Sequence, residues 1–348
     1  MTEPRLTSLA HGGGCGCKIA PAVLSEILSA TPALPVPPEL LVGMESADDA
    51  AVWQLSETQA LVATTDFFMP IVDDPHDFGR IAATNALSDV YAMGGRPIMA
   101  LALVGMPIGA LSPATIGAIL SGGAAAASAA GIPIAGGHTI DSVEPIYGLV
   151  ALGLVDPARL KRNTDAREGD VLILGKPLGV GVMSAALKKD ALGADAYARM
   201  IASTTRLNTP GPDLAALPGV HAMTDVTGFG LAGHTLEMAR GAGLDIVLDR
   251  SALPFLDGVE ALARAGHITG ASGRNWESYG REVALPDGFD PVDRALLCDP
   301  QTSGGLLVTC APGTADQVLA IFHEQGFTEA SAIGRVTAPR DTVPMLRL

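Results

Sequence analysis

Short apolar runs alternate along the chain with stretches in which apolar residues recur at helical spacing. The strand-like runs cover residues 51–55, 60–65, 98–104, 132–135, 146–154, 171–174, 306–309 and 332–336. The helical stretches cover residues 20–28, 78–93, 112–131, 182–206 and 231–241. Strands and helices mixed in this order predict an α+β protein.

The stretch 78–93 carries polar side chains within an apolar stripe. At 100° per residue, Asn85 and Asp89 fall on the same helix face as Phe78, Ile81 and Ala82. A carboxylate on a core-facing stripe needs a partner. The pattern therefore marks Asp89 as a candidate functional residue.

The interval between Arg96 and Asp141 contains no Asp, Glu, Lys or Arg and resembles a membrane segment in hydropathy. Prolines and glycines divide it into pieces shorter than the ~20 apolar residues that a membrane-spanning helix needs. We therefore interpret it as strand, helix and strand, with Ser112 as the helix N-cap and no membrane span.

Length and charge limit the classes of protein further. A chain of 348 residues predicts about two domains, and a charged stretch at 159–170 suggests the boundary. We predict an N-terminal arm and linker at 1–40 and domains at 41–158 and 165–348.

The net charge of −15 argues against nucleic-acid binding. Four cysteines and no signal peptide indicate a cytoplasmic protein.

Aspartates stand at turning points of the predicted elements. They are Asp48, Asp49, Asp66, Asp89 and Asp225. Carboxylates delivered from several loops suit Mg²⁺, and such an acidic site accepts a polyphosphate only together with divalent cations. Turn and capping roles explain any single one of these aspartates equally well.

Glycine-rich turns that can cradle phosphate lie at 12–16, 136–137, 228–230 and 301–305. The Walker A spacing is absent, because Lys176 is followed by Pro177. The turn at 179–184 has Ser184 where a dinucleotide fingerprint requires glycine. These departures argue against a Rossmann dehydrogenase.

The segment His11-Gly-Gly-Gly-Cys15-Gly-Cys17-Lys18 is rich in glycine and therefore predicted to be mobile. The neighbouring lysine predicts a lowered thiol pKa and a nucleophilic cysteine. The alternative is a zinc site formed by His11, Cys15 and Cys17, although a second ligand pair is missing. The remaining cysteines, 298 and 310, read as small buried hydrophobic residues.

Seven motifs occur in an order that is familiar from one family. They are His11-Gly-Gly-Gly-Cys-Gly-Cys-Lys-Ile, Asp48-Asp-Ala-Ala-Val, Thr65-Asp-Phe-Phe-Met-Pro, Ala83-Thr-Asn-Ala-Leu-Ser-Asp, Ala135-Gly-Gly-His-Thr-Ile-Asp, Met223-Thr-Asp-Val-Thr-Gly-Phe-Gly and Cys298-Asp-Pro-Gln-Thr-Ser-Gly-Gly. Over practically its whole length the chain resembles the selenophosphate synthetases, within the aminoimidazole-ribotide-synthetase-like superfamily. The second and sixth motifs fit the whole superfamily, whereas the Cys-Gly-Cys-Lys segment narrows the resemblance.

The resemblance implies a fold and a reaction. The fold is a two-domain α+β architecture with a flexible glycine-rich arm, an N-terminal sheet that forms a dimeric barrel, and a C-terminal α/β sandwich. The reaction converts ATP, selenide and water into selenophosphate, phosphate and AMP. The implied partners are a second copy of the chain and a selenium-delivery protein.

The resemblance also implies roles for individual residues. Cys15 matches the catalytic cysteine or selenocysteine, and Lys18 matches the essential lysine near the phosphates. The matches to magnesium ligands are Asp49, Asp89 and Asp225. The matches to nucleotide contacts are Ser46, Ala47, Asp48, Asp66 and Asp89, with Gly137, His138 and Thr139 reaching the partner subunit's nucleotide. The pair Ser46-Ala47 is less polar than its counterpart in familiar bacterial members, so a side-chain contact at position 47 is lost.

Two other functions remain open from the sequence. One is a kinase of the same superfamily with another substrate, such as a thiamine-monophosphate kinase or a carbamoyl-processing maturation protein, which yields ADP rather than AMP. The other is a non-catalytic protein that sequesters metal or selenium through His11, Cys15 and Cys17.

Overall fold

The computed structural model describes residues 3–19, 23, 26–27, 30, 35–43, 48–340 and 345–348. These residues form two α+β domains, each built around one β-sheet. Residues 23, 26 and 27 of the helix predicted over 20–28 are helical, and the rest of that prediction lies outside the described residues. Among the described residues, no helix combines the length and apolar character needed to cross a bilayer.

The first sheet has the strand order β1-β2-β3-β6-β4-β5. Its strands are β1 (Leu40–Val42), β2 (Ala51–Ser56), β3 (Gln59–Phe68), β4 (Arg96–Met106), β5 (Ile134–Asp141) and β6 (Ile146–Val155). Neighbouring strands are antiparallel except β4 and β5, which are parallel. The predicted strands are confirmed, although β5 begins two residues later than predicted and extends to the acidic end of its motif.

Two helices cover one face of this sheet, α1 (Pro75–Ala92) and α2 (Pro113–Ala129). Ser112 caps α2 as predicted, because its side chain accepts a hydrogen bond from the Thr115 amide. The two helix backbones pack closely at Gly79 and Gly122, where a Cβ atom would clash with the facing backbone. Only glycine therefore permits this helix pair.

The second sheet has the order β10-β13-β9-β12-β7-β11-β8. Its strands are β7 (Val171–Leu174), β8 (Val220–Asp225), β9 (Asp245–Leu248), β10 (Val283–Ala284), β11 (Leu306–Cys310), β12 (Ser331–Thr337) and β13 (Leu346–Arg347). The helices after α2 are α3 (Val180–Lys188), α4 (Ala194–Thr204), α5 (Gly211–Ala215), α6 (Gly230–Ala242), α7 (Val259–Arg264), α8 (Gly270–Tyr279), α9 (Pro291–Leu297) and α10 (Ala315–Glu324). Along β7, Leu172 and Leu174 enter one core and Ile173 enters another, so both faces of the sheet are covered.

Helix α1 lies between the two domains. Its residues from Phe78 to Ala92 are all buried except Arg80, rather than only the predicted stripe. The additional partners come from the C-terminal domain: Tyr197 donates a hydrogen bond to Asp77, and Asn208 donates one to Ser88. A helix that is covered on all sides needs no polar face, which explains its apolar composition.

Candidate active site

Three carboxylates from distant parts of the sequence converge where the two domains meet. Asp49 lies just before β2, Asp89 projects from α1, and Asp225 ends β8. One ligand atom from each lies within 4.8 Å of the ligand atoms of the other two. The structure thus brings together the three aspartates that the sequence marked as candidate metal ligands.

The hydrogen bonds of the cluster leave two of its carboxylate oxygens without a partner among the described residues. Thr224 donates its hydroxyl to Asp49 Oδ1 at 2.8 Å, and Thr64 donates to Asp89 Oδ2 at 2.5 Å. The second oxygens of Asp49 and Asp225 are buried and have no hydrogen-bond partner among the described residues. Buried oxygens without partners are costly, so this cluster is incomplete without a further ligand.

Burial and mutual repulsion disfavour the ionised form of the cluster. Burial raises the pKa of Asp89 well above its ordinary value, and the charges of Asp225 and Asp66 raise it further. Burial and the charges of Asp225 and Asp89 do the same to the pKa of Asp49. Hard carboxylate oxygens with open coordination positions fit a divalent cation such as Mg²⁺, whose charge would remove both penalties.

The glycine-rich segment places Cys15 beside this cluster. Gly14 takes a left-handed conformation (φ 53°) and begins a 3-10 turn, Gly14–Cys17, that buries the cysteine. The Cys15 thiol donates a hydrogen bond to Asn85 Oδ1 at 3.2 Å, and its amide donates to the Thr302 hydroxyl at 3.2 Å. Both contacts reach far along the sequence, so the turn is fixed from the two domains.

The predicted low pKa of the Cys15 thiol is wrong for this structure. Burial raises the pKa of Cys15 well above its ordinary value, and the nearby charge of Asp66 adds to the effect. The charge of Lys18 acts in the opposite direction and is outweighed. The raised pKa favours the protonated form of this thiol.

Lys18 is the cation nearest to the carboxylates. Its Nζ lies 3.8 Å from Asp66 Oδ2, and 40% of its side chain remains exposed. Desolvation opposes its charge, but Asp66 and the cluster aspartates together raise its pKa above the usual range. Lys18 thus stays positively charged beside Asp66 and the cluster.

Asn85 connects these groups and was not singled out as a site residue from the sequence. Its Nδ2 donates to Asp66 Oδ2 at 2.5 Å, while its Oδ1 accepts from both Cys15 and the Ser303 amide, the latter at 2.7 Å. Ser303 has a positive φ of 54°, a backbone conformation that residues other than glycine rarely adopt. The sequence held a signal for Asn85, since it shares the helix stripe of Asp89.

Of the remaining predicted nucleotide contacts, Asp48 adjoins the cluster, where its charge raises the pKa of Asp49, and the others lie on β5 or outside the described residues. Asp48 Oδ1 accepts the Asn163 amide at 2.8 Å, which ties it to the segment between the domains. Ser46 and Ala47 lie outside the described residues. Gly137, His138 and Thr139 lie on the exposed edge strand β5, and no hydrogen bond joins them to the cluster within the described part of the chain.

The zinc alternative is not supported by the geometry. His11 pairs with Glu144 at 2.9 Å, Cys15 with Asn85, and the Cys17 thiol donates to the Gly14 carbonyl at 2.8 Å. Within the described ranges, the aspartate cluster is the one group of acidic, histidine or cysteine side chains arranged to hold a metal. Cys298 and Cys310 are buried, as predicted.

Both domains match known protein families. The chain matches the family model "AIR synthase related protein, N-terminal domain" over residues 47–155. It matches "AIR synthase related protein, C-terminal domain" over residues 167–346. These matches cover the residues of the acidic cluster and every strand of the first sheet except β1.

Solved structures share the fold at low sequence identity. Thiamine-monophosphate kinase from Stenotrophomonas maltophilia aligns with a TM-score of 0.64 and 22% identity over 93% of this chain and 94% of its own. The hydrogenase maturation protein HypE in complex with ATP aligns with a TM-score of 0.59 and 19% identity over 87% and 82%.

Curated relatives are far more similar. The selenide, water dikinase of Burkholderia pseudomallei is 70% identical over 96% of this chain and 94% of its own length. That of Pseudomonas straminea is 64% identical over 96% and 94%. The chain therefore belongs to the selenide, water dikinase family of AIR synthase related proteins.

Proposed function

We propose that this chain catalyses the ATP-dependent synthesis of selenophosphate from selenide and water, with release of AMP and phosphate. The observation that carries the proposal is the position of the Cys15–Lys18 segment against the aspartate cluster. A thiol, a cation and three converging carboxylates meet there at the junction of two domains. This combination suits phosphoryl transfer to a soft nucleophile such as selenide.

The aspartates have the properties of a metal–nucleotide site. We assign the ligation of Mg²⁺ to Asp49, Asp89 and Asp225, which converge and two of which, Asp49 and Asp225, have a buried oxygen with no hydrogen-bond partner among the described residues. When bound, Mg²⁺ would neutralise the phosphates and position them for in-line transfer. Nucleotide contacts are assigned to Asp48, Asp66 and Asp89, together with residues 46–47. ATP binding is further supported by HypE, a protein of the same fold that has been solved with ATP.

Lys18 and Cys15 act on the transferring group. Lys18 holds its positive charge next to Asp66 and would stabilise the charge that spreads over the γ-phosphoryl oxygens. In the first step a P–Se bond forms to selenide while the P–O bond to ADP breaks. In the second step water attacks the remaining β-phosphate, which breaks the bond to AMP and releases phosphate. Cys15 guides selenium to the phosphoryl group from its buried position.

Phosphorus NMR of the products tests this proposal. The wild-type protein with ATP, selenide and Mg²⁺ under anaerobic reducing conditions should give selenophosphate, phosphate and AMP. Cys15→Ser should abolish selenide-dependent AMP formation, whereas Cys310→Ala, at a buried cysteine of β11, should retain it. ADP as the final nucleotide would instead favour another kinase of the superfamily, and no ATP turnover would favour a sequestering protein.

We further propose a homodimer that uses the outer face of the first sheet. Trp53, Leu61 and Leu154 lie in register across β2, β3 and β6 on this face, and Trp53 is 41% exposed. Phe67 and His138 lie on the same face. A continuous apolar sheet face of this kind is suited to burial against a second copy. It would also explain why residues 137–139 lie far from the cluster of their own chain.

Sedimentation analysis tests the dimer. Trp53→Asp should convert the dimer to a monomer, because it places a charge within the apolar face. The matched control is Val143→Asp, at a residue that is 91% exposed and follows β5 in a turn. Dimers of unchanged affinity in Trp53→Asp would show that the sheet face is not the interface.

A further inference from the structure

A cavity of about 380 Å³ adjoins the glycine-rich segment, and none of the cluster aspartates lines it. Gly12, Gly13 and Gly16 form one wall, and Thr302, which binds the Cys15 amide, forms part of another. The cavity therefore lies next to the backbone that carries the thiol.

The charge of this cavity contrasts with that of the molecule. Lys188, Lys189 and Arg274 line it, and none of its lining residues is acidic. His11 lines it as well but is paired with Glu144. The chain as a whole carries a formal charge of −15. A cation-lined cavity on such a protein is a local attractor for small anions.

The cavity shares lining residues with a smaller space at the thiol. A narrow crevice of about 10 Å³ touches both Cys15 and Lys18. Gly16, Ala271 and Arg274 line both the crevice and the larger cavity. Arg274 also donates a hydrogen bond to the Gly16 carbonyl at 3.2 Å. Arg274 therefore borders both the cavity and the space that the thiol lines.

Selenide would be repelled if it approached Cys15 from the side of the aspartate cluster. At neutral pH it is the hydroselenide monoanion, and the aspartate cluster and the nucleotide phosphates both repel it. We propose that the cavity lined by Lys188, Lys189 and Arg274 is the route by which hydroselenide reaches Cys15. This inference rests on the proposed function, and it assigns the selenium substrate a path separate from that of ATP.

Steady-state kinetics with free selenide tests the route. In the double variant Lys189→Gln/Arg274→Gln, the KM for selenide should rise at least about fivefold at low ionic strength, while kcat and the KM for ATP stay unchanged. The kcat/KM for selenide of the wild type should fall with added salt, and that of the variant should depend less on salt. When Lys189 is kept, the single variant Arg274→Lys, which keeps the positive charge, should have the wild-type KM for selenide.

Arg281→Gln provides the matched control. Arg281 is an exposed cation that follows α8 and does not line the cavity, so its removal should leave the KM for selenide unchanged. The route is wrong if the wild type makes selenophosphate but the double variant keeps its KM for selenide, or if the KM for ATP rises equally. A wild type that makes no selenophosphate would overturn the proposed function instead.

Discussion

The two sides of the Cys15–Lys18 segment carry opposite charge. On one side Asp66 and the aspartate cluster surround the Lys18 ammonium. On another side the cavity wall holds Lys188, Lys189 and Arg274 and no carboxylate. The thiol stands between the two environments and hydrogen-bonds toward the acidic one.

Two anions of different chemistry can thus be bound on opposite sides of one segment. A metal–nucleotide complex needs carboxylates, and a bare selenium anion needs cations. The same set of side chains cannot serve both. Separation of the two environments by the turn Gly14–Cys17 resolves the conflict, because each anion then faces its own set of side chains.

The largest expected effect comes from removal of a cluster charge. Asp225→Asn keeps the shape of the side chain but loses one of the three converging carboxylates. We expect the Mg²⁺-dependent affinity for ATP, measured by calorimetry, to fall on the order of 100-fold. Lys189→Gln, on the basic side, should not change this affinity. Equal ATP affinity in wild type and Asp225→Asn would refute the role of the cluster.

A smaller effect is expected at the junction of the two environments. Asn85→Ala leaves Asp66 and the Ser303 amide without their partner and should reduce the free energy of unfolding by about 1–3 kcal/mol. It should also speed the alkylation of Cys15 by iodoacetamide, as followed by mass spectrometry, because the thiol loses its acceptor.

Asn208→Ala is the control for this prediction. Asn208 is equally buried and donates to Ser88 and to the Gly304 carbonyl, but it does not contact the thiol. A similar loss of stability without faster alkylation of Cys15 is expected. If both variants alkylate at the same rate, Asn85 does not position the thiol.

The smallest expected effect is a dependence of stability on pH in the metal-free protein. The pKa of Asp89 is raised in the folded chain, mainly by burial, so folding takes up protons at this site. The wild type should therefore gain stability relative to Asp89→Asn as the pH falls from neutral toward the ordinary aspartate pKa near 3.8. Thermal melts in EDTA measure this difference. Saturating Mg²⁺ should abolish it, and a difference that grows as the pH rises would contradict a raised pKa of Asp89 in the folded chain.

Local patterns were sufficient for most elements but not for the surroundings of the site. The bounds of β2, β7 and α6 follow from apolar spacing and turn residues, because these signals lie within each segment. The burial of α1 on all sides depends on the C-terminal domain, which no local pattern reports. The thiol pKa was mispredicted for the same reason, since burial beside Asn85 and Thr302 outweighs the adjacent lysine.

The sequence predicted that a group of aspartates converges, but not the contacts that each of them makes. The residue pattern marked five aspartates and the family resemblance implied that Asp49, Asp89 and Asp225 are the metal ligands; in the structure, ligand atoms of these three lie within 4.8 Å of one another. The sequence could not indicate that Asp48 binds the Asn163 amide, because that contact forms only when the segment between the domains folds back. The role of Asn85 likewise depends on a distant partner, Ser303, which lies 218 residues further along the chain.

The fully covered helix α1 has a consequence for dissection of the protein. A fragment that ends near residue 158 would keep α1 but lose its contacts with Tyr197 and Asn208. The side of α1 that the C-terminal domain covers would then be exposed to water. A fragment that begins near residue 158 would lack the wall against which β8 packs. We expect each half to aggregate when expressed alone and to recover when both halves are produced together in one cell.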